Sequence, residues 1–398
     1  MKRVMLDGNG AATEGLRLAR IRVVSAYPIT PQSPISEKLA DYVADGTLDA
    51  KYIRVESEHS AMSCAIGAQL TGVRAGTATA SVGLALMHEV LGVAAGCRLP
   101  IVMPVVNRAL VSPWSLWCDH QDAMAERDGG WMQFYAESAQ EVIDLILIAY
   151  KLAEKSEVLV PAMICLDGFF LSHMPDCVEV PSQETVDGFL PAYKNDNLHL
   201  DPDDPMFIND LTGSNEFMEM RFQQAVGFDN ALALMPEVMG EFAETFGRSY
   251  EPVEAYMCED AEAVMVTLGS MSGTAKYTVD AMRAEGAKVG VLKITSFRPF
   301  PGELIREKIG HVANVGIIDR CASLGAEGGP VCNEVRSALQ LLDSAPRVQG
   351  FVAGLGGRDI PPTTFEAAFN ELLNDNYDTN VKWLDVEDNA MALREVDA

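Results

Sequence analysis

Short apolar runs recur along this chain, and a stretch with helical spacing follows each one. Residues 23–26, 52–55, 74–80, 101–106, 131–135 and 158–166 read as buried strands. Between them, apolar positions recur every three or four residues. This predicts helices over 10–21, from Pro34 and Ser36 to about 45, 58–71, 83–96 and 138–154. In the last of these, Val142, Leu145, Ile146 and Tyr150 form one stripe, the pattern of an amphipathic helix. A polar, Asp- and Pro-containing segment over 181–218 and one long helix over 220–246 interrupt the alternation. It resumes with strands at 263–268, 288–294, 312–318 and 348–353 and helices at 272–285, 302–309, 330–341 and 364–373. Strand–helix alternation of this kind builds parallel sheets with helices on both faces. The expectation is two parallel-sheet α/β domains, at 1–180 and 260–375, joined by a connection and long helix at 181–259 and followed by an acidic tail at 376–398 that crosses a partner's surface.

Composition narrows the function. The chain has 398 residues, is 48% hydrophobic and carries a formal net charge of −27, so it can bury sizeable cores and is ill-suited to nucleic acid. The most apolar long stretch, 84–106, contains His88, Glu89, Arg98, Pro100 and Pro104, which argues against a membrane span. Val4-Met5-Leu6 is too short for a secretory apolar region, so the expectation is a cytoplasmic protein. The eight cysteines include no C-x-x-C pair, so no iron–sulfur cluster is expected on this chain. His59, His88, His120 and His173 fall in no metal-ligand spacing, and no metal is expected here.

Three segments sit where an apolar strand gives way to polar residues: Tyr27-Pro28-Ile29-Thr30-Pro31, Glu56-Ser57-Glu58-His59-Ser60-Ala61 and Asn107-Arg108. Ligands of open α/β sheets bind beyond the carboxyl ends of strands, so one site could collect Thr30, Glu58 and Arg108. Each reads two ways. Glu58 is either a helix-start carboxylate favoured by the dipole or a buried acid poised for proton exchange. Arg108 is either a rim charge or a bidentate clamp for a carboxylate. The Gly-rich turns at 269–273 and 354–357 match neither a dinucleotide fingerprint nor a P-loop, and read as tight turns.

Taken together, these segments resemble the α subunit of 2-oxoacid:ferredoxin oxidoreductases, of which the pyruvate enzymes are the commonest. So do Thr77-Ala78-Thr79-Ala80-Ser81, Gly83-Leu84-Ala85-Leu86-Met87-His88-Glu89, Asp119-His120-Gln121-Asp122, Arg298-Pro299-Phe300-Pro301 and Gly354-Leu355-Gly356-Gly357-Arg358-Asp359, in order over about residues 8–360. The resemblance implies a thiamine diphosphate-binding, pyrimidine-type domain followed by a transketolase C-terminal-like domain. It implies a β subunit holding the diphosphate and Mg2+, a γ subunit and a ferredoxin-like δ subunit carrying [4Fe-4S] clusters. It also implies ferredoxin, coenzyme A and a 2-oxoacid as the other participants. Glu58 then matches the glutamate that hydrogen-bonds N1′ of the aminopyrimidine and so promotes formation of the ylide. Thr30 and Arg108 match substrate-contacting residues, Pro28 the proline lining the cofactor, and Leu116 an apolar residue beside the substrate. Pyruvate is the first substrate expected, then branched-chain or aryl 2-oxoacids such as 2-oxoisovalerate or phenylglyoxylate, then 2-oxoglutarate. Two other classes compete. A nucleotide-binding dehydrogenase needs a Gly fingerprint that Ala26-Tyr27-Pro28-Ile29 lacks, and a non-catalytic acidic scaffold has no need of Glu58 and Arg108.

Overall fold

The computed structural model describes residues 2–195, 198, 200, 202–387 and 390. The chain forms two compact units, Met1–Glu254 with Ile294–Pro301, and Ala255–Lys293 with Gly302–Ala398.

The first unit runs β1 (Lys2–Leu6), α1 (Gly8–Leu18), β2 (Val23–Ala26), α2 (Ser33–Ala44), β3 (Lys51–Arg54), α3 (Glu58–Leu70), β4 (Ala75–Gly76), α4 (Ser81–Gly96) and β5 (Val102–Asn107). It continues with α5 (Gln121–Ala125), β6 (Met132–Tyr135), α6 (Ala139–Ala153), β7 (Ala162–Asp167), β8 (Asp176–Val180), α7 (Gln183–Phe189) and α8 (Ser214–Phe246). Local chemistry starts the helices. Asp7 accepts from Gly10 N, Ser57 from Ser60 N and Ser138 from Glu141 N, each side chain satisfying a first-turn N–H that has no helical partner. Gly247, at φ 73°, ends α8 in the left-handed conformation that costs glycine least.

β3-β2-β4 form a parallel three-stranded sheet, and β5, β7 and β6 pair in parallel in a second. A single parallel bridge, Thr79 to Val105, connects the two. The second sheet gains an antiparallel edge strand, β12 (Ser296–Arg298), from much later in the chain. β1 and β8 make a separate antiparallel ribbon.

The remaining elements are β9 (Val253–Tyr256), β10 (Ala263–Leu268), α9 (Met271–Ala284), β11 (Val289–Ile294), α10 (Gly302–Ile309), β13 (Asn314–Asp319), α11 (Pro330–Leu339), β14 (Arg347–Val352), α12 (Pro362–Leu373) and β15 (Lys382–Trp383). Their sheet has the order β15-β14-β13-β10-β11-β9. Asp319, at the end of β13, accepts from Val331 N and Cys332 N on the first turn of α11, where the helix dipole favours a negative charge. Gly269, Gly354, Gly356 and Gly357 all have positive φ, so the two Gly-rich segments are the tight turns expected of them.

Several expectations need correcting. The strand expected over 74–80 pairs with β2 only at Ala75–Gly76, and its later part turns to bridge β5. The strand expected over 158–166 begins at Ala162, after Pro161, which lacks the N–H a sheet ladder needs. α6 is not one-faced: Ile143, Leu147 and Ile148 are as fully buried as Val142, Leu145 and Ile146, because α1 and α8 pack against a helix that also lies on the sheet. The tail does not leave the fold at 376, since β15 pairs in parallel with β14 and Lys382 bonds Glu371 and the Asn376 carbonyl. Residues 391–398 of that tail lie outside the described residues. No described helix is long and apolar enough to cross a membrane.

Candidate active site

The loop after β2 is held in place by polar side chains. Gln32 Nε2 donates to Ala78 O and Ser36 Oγ, both at 2.8 Å, and Asn9 Nδ2 donates to Pro31 O at 2.9 Å. Pro28 and Thr30 remain exposed on this anchored loop.

Glu58 opens α3 and is 7% exposed. Among the described residues its carboxylate makes no hydrogen bond and no ion pair. Gly83, in the first turn of α4, lies directly against it. A Cβ on Gly83 would stand 2.6 Å from Glu58 Oε1 and 2.7 Å from Thr79 Oγ1. Only a glycine leaves room for both groups. Thr79 is fully buried, and its hydroxyl has no partner among the described residues.

Arg108 follows β5 and is 5% exposed. Its Nη1 donates to Thr30 O at 2.8 Å and its Nε to Ser115 O at 3.3 Å. The expected meeting of Thr30 and Arg108 therefore occurs through the Thr30 carbonyl, which leaves the hydroxyl available. Burial draws the guanidinium below its ordinary value, and Asp122 opposes the shift. Arg108 N donates to Asp122 Oδ2 at 3.0 Å, and Ser81 N, at the start of α4, donates to the same oxygen at 2.8 Å. Burial pushes the Asp122 carboxyl up to about 6, against the pull of the bonds from Asn107, Arg108, Ser81 and Ala123. Leu116 is 41% exposed in the loop that Ser115 O ties to Arg108, beside exposed Trp114 and Trp117. Trp117 packs on Phe169 with ring centroids 4.5 Å apart.

These contacts join the three segments singled out in the sequence. Glu58 rests on α4, Asp122 ties α4 to Arg108, and Arg108 reaches the Thr30 loop. Thr79, Gly83 and Asp122 all lie in motifs that carry the resemblance, but nothing in the local sequence gives any of them a role. Cys118, His120 and Asp167 also bring their donor atoms within 4.8 Å of one another, a cluster that linear spacing does not reveal. His120 Nε2 lies 2.7 Å from Asp167 Oδ1, and the pair reads as a satisfied core hydrogen bond. A cavity of about 300 Å3 lined by Arg17, Arg20, Arg22 and Arg74 shares no residue with the site. Each of those arginines already pairs with a carboxylate, from Glu14, Asp187, Asp49 and Glu154 respectively.

The first unit is a parallel α/β fold with a polar corner beyond its strands, and comparison with known proteins gives its class. The family described as pyruvate flavodoxin/ferredoxin oxidoreductase, thiamine diphosphate-binding, matches residues 14–240, and pyruvate:ferredoxin oxidoreductase core domain II matches residues 261–365. The chain belongs to this family of thiamine diphosphate-binding oxidoreductases. It is 44% identical over 384 residues to pyruvate synthase subunit PorA of Methanothermobacter thermautotrophicus, covering 96% of this chain and 98% of that one. It is 46% identical over 357 residues to ketoisovalerate oxidoreductase subunit VorA of Pyrococcus horikoshii, covering 89% and 90%. In fold it is similar to a 2-oxoglutarate:ferredoxin oxidoreductase from Magnetococcus marinus, with a TM-score of 0.74 at 18% identity over 93% of this chain and 65% of that one.

Proposed function

We propose that the chain is the α subunit of a pyruvate:ferredoxin oxidoreductase. The reaction takes pyruvate and coenzyme A to acetyl-CoA and carbon dioxide with reduction of ferredoxin, or runs in reverse. The observation that carries this reading is Glu58, a 7%-exposed residue whose carboxylate has no partner among the described residues, beside the buried Thr79 hydroxyl, which has none among them either. Leaving a buried hydroxyl unpaired is unfavourable, so Thr79 beside Glu58 supports a place completed by a ligand. An aminopyrimidine ring fits the donor set, because its ring nitrogen can share a proton with the carboxylate.

Thiamine diphosphate, when bound, supplies a nucleophilic carbon and an electron sink for 2-oxoacid decarboxylation. Glu58 holds the proton at pyrimidine N1′, and Pro28 lines the ring. Arg108 pairs with the substrate carboxylate, the Thr30 hydroxyl holds its oxo group, and Leu116 meets its alkyl end. A β subunit holds the diphosphate and Mg2+. A γ subunit and a ferredoxin-like δ subunit complete a cytoplasmic complex, whose [4Fe-4S] clusters lie on the partners.

The test is viologen reduction by the native complex against a panel of 2-oxoacids, with and without coenzyme A. Activity on pyruvate that depends on coenzyme A is expected. A branched-chain 2-oxoacid is the second reading, favoured by the 46% identity to a VorA subunit and by the bulky Trp114–Trp117 loop. A complex loaded with thiamine diphosphate and inert towards every 2-oxoacid overturns both.

A further inference from the structure

Asp122 is 1% exposed, and its carboxylate is shared among four donors. Oδ1 accepts from Asn107 Nδ2 at 2.9 Å and from Ala123 N at 2.8 Å. Oδ2 accepts from Ser81 N at 2.8 Å and from Arg108 N at 3.0 Å. These donors come from the end of β5, the start of α4 and α5 itself. A buried backbone N–H requires an acceptor, and here one carboxylate serves three of them. An asparagine in the same place would offer one oxygen and one NH2 group, setting donor against donor on one side. The two N–H groups on Oδ2 matter most for the site. One belongs to the residue whose guanidinium reaches the Thr30 carbonyl. The other opens the helix that carries Gly83 against Glu58. Ser81 keeps a second anchor, its hydroxyl donating to Ala109 O at 2.6 Å. Among the described residues Arg108 N makes no other such bond.

We propose that Asp122 is a positioning residue of the 2-oxoacid site. It fixes the Arg108 backbone so that the guanidinium is presented beside the Thr30 loop. The inference rests on the reading of Arg108 as the substrate-carboxylate clamp.

The test is a double-mutant cycle in the native complex with Asp122→Asn, Arg108→Ala and the pair. The readouts are KM and kcat for the preferred 2-oxoacid, and thiamine diphosphate affinity by titration of the cofactor-depleted complex. Loss of charge-assisted bonds to a backbone N–H predicts a KM raised on the order of tenfold in Asp122→Asn. A kcat changed by less than about threefold and an unaltered cofactor affinity are expected, because that share of binding is made equally in ground and transition states. In the Arg108→Ala background, Asp122→Asn is expected to add no further rise in KM, since a residue acting through another has nothing left to act on. If the two effects multiply, Asp122 supports the scaffold without acting through Arg108, and the inference fails while the clamp stands. If Arg108→Ala leaves KM unchanged, the clamp and the inference fall together. Should Asp122→Asn not assemble, the same cycle with Asn107→Ala removes a single donor. It should give a smaller rise that likewise vanishes in the Arg108→Ala background, and a rise that persists there overturns the inference.

Discussion

Asp144 and Glu58 are both buried carboxylates on helices of the same unit, and they are treated in opposite ways. Asp144, on α6, is fully buried and receives Arg248 Nε at 2.6 Å, Arg248 Nη2 at 2.8 Å and Tyr250 Oη at 2.7 Å. Burial pushes its carboxyl up, and the bonds from Arg248, Tyr250 and Gln140 oppose the shift. Glu126 follows the same design, with His88 Nδ1 2.6 Å away. Glu58 has Thr79 and Gly83 beside it and no protein partner among the described residues. A carboxylate that only stabilises the fold is surrounded by its own donors. One that works on a ligand keeps its lone pairs for it. The contrast assigns opposite consequences to removing each charge.

The largest effect is expected at Glu58. Glu58→Gln removes a proton-exchanging group, and general acid–base contributions predict a loss of kcat of about 10²–10⁴-fold. Its thermal stability should hold, because the carboxylate has no partner among the described residues for the substitution to break. Steady-state viologen reduction beside a thermal melt measures both, and near-normal turnover refutes the assignment. Asp144→Ala should do the reverse. Breaking a buried pair from one side leaves Arg248 with weaker partners such as Glu179 at 3.6 Å, with a stability loss of about 3 kcal/mol. Turnover per folded complex should stay near normal. A large kcat loss at unchanged stability would erase the distinction between the two acids.

Gly83→Ala tests the same contrast from the neighbouring helix. The new Cβ meets Glu58 Oε1 and Thr79 Oγ1 at under 3.0 Å, so the carboxylate must move. Overpacking of this size costs about 1–3 kcal/mol, while alanine is the better helix former by about 1 kcal/mol. Weaker thiamine diphosphate binding, by about tenfold at 1.4 kcal/mol per decade, is expected with little change in melting temperature. Calorimetric titration of the depleted complex reads it, and unchanged affinity would mean that Glu58 does not meet the cofactor from this position.

Much of this arrangement is legible in the sequence because it is local. Ser57 before Glu58 and the apolar run before Arg108 give the helix start and the strand end directly. What could not be read depends on distant pairing. Ser296–Arg298 is too short to read as a strand, and it becomes one only because β6 offers an open edge. The outer face of α6 reads as free in the sequence, and in the structure α8 covers it and Arg248 reaches Asp144. Gly83 reads as a helix start, and its role appears only when α3 and α4 pack together. Asp122 lies beside His120 in a polar run, and its four donors come mostly from residues far along the chain.

Asp122 gives the smallest and most specific prediction, because its proton acts on stability and on the site in opposite directions. Its carboxyl lies at about 6 in the folded chain, above the ordinary 3.8, since complete burial outweighs the four bonds. A group raised in this way favours the fold below its ordinary value and loses that contribution as pH rises through about 6. Taken alone, it makes the fold more stable towards acid between those values, against the trend of the paired surface carboxylates. The charge of Asp122 acts on Arg108 and Cys165, and neither titrates in this window. The protonated acid, however, accepts poorly on the oxygen that holds its proton. The hold on the Arg108 and Ser81 N–H groups then weakens, and KM for the 2-oxoacid should rise as pH falls through about 6. In Asp122→Asn, KM should start high and stay flat across the same interval, while protonation of Asp122 does not by itself lower the wild-type melting temperature. A parallel rise in both enzymes would place the titrating group elsewhere, with the substrate or a partner subunit, and would leave Asp122 as a buried acid whose proton has no bearing on the clamp.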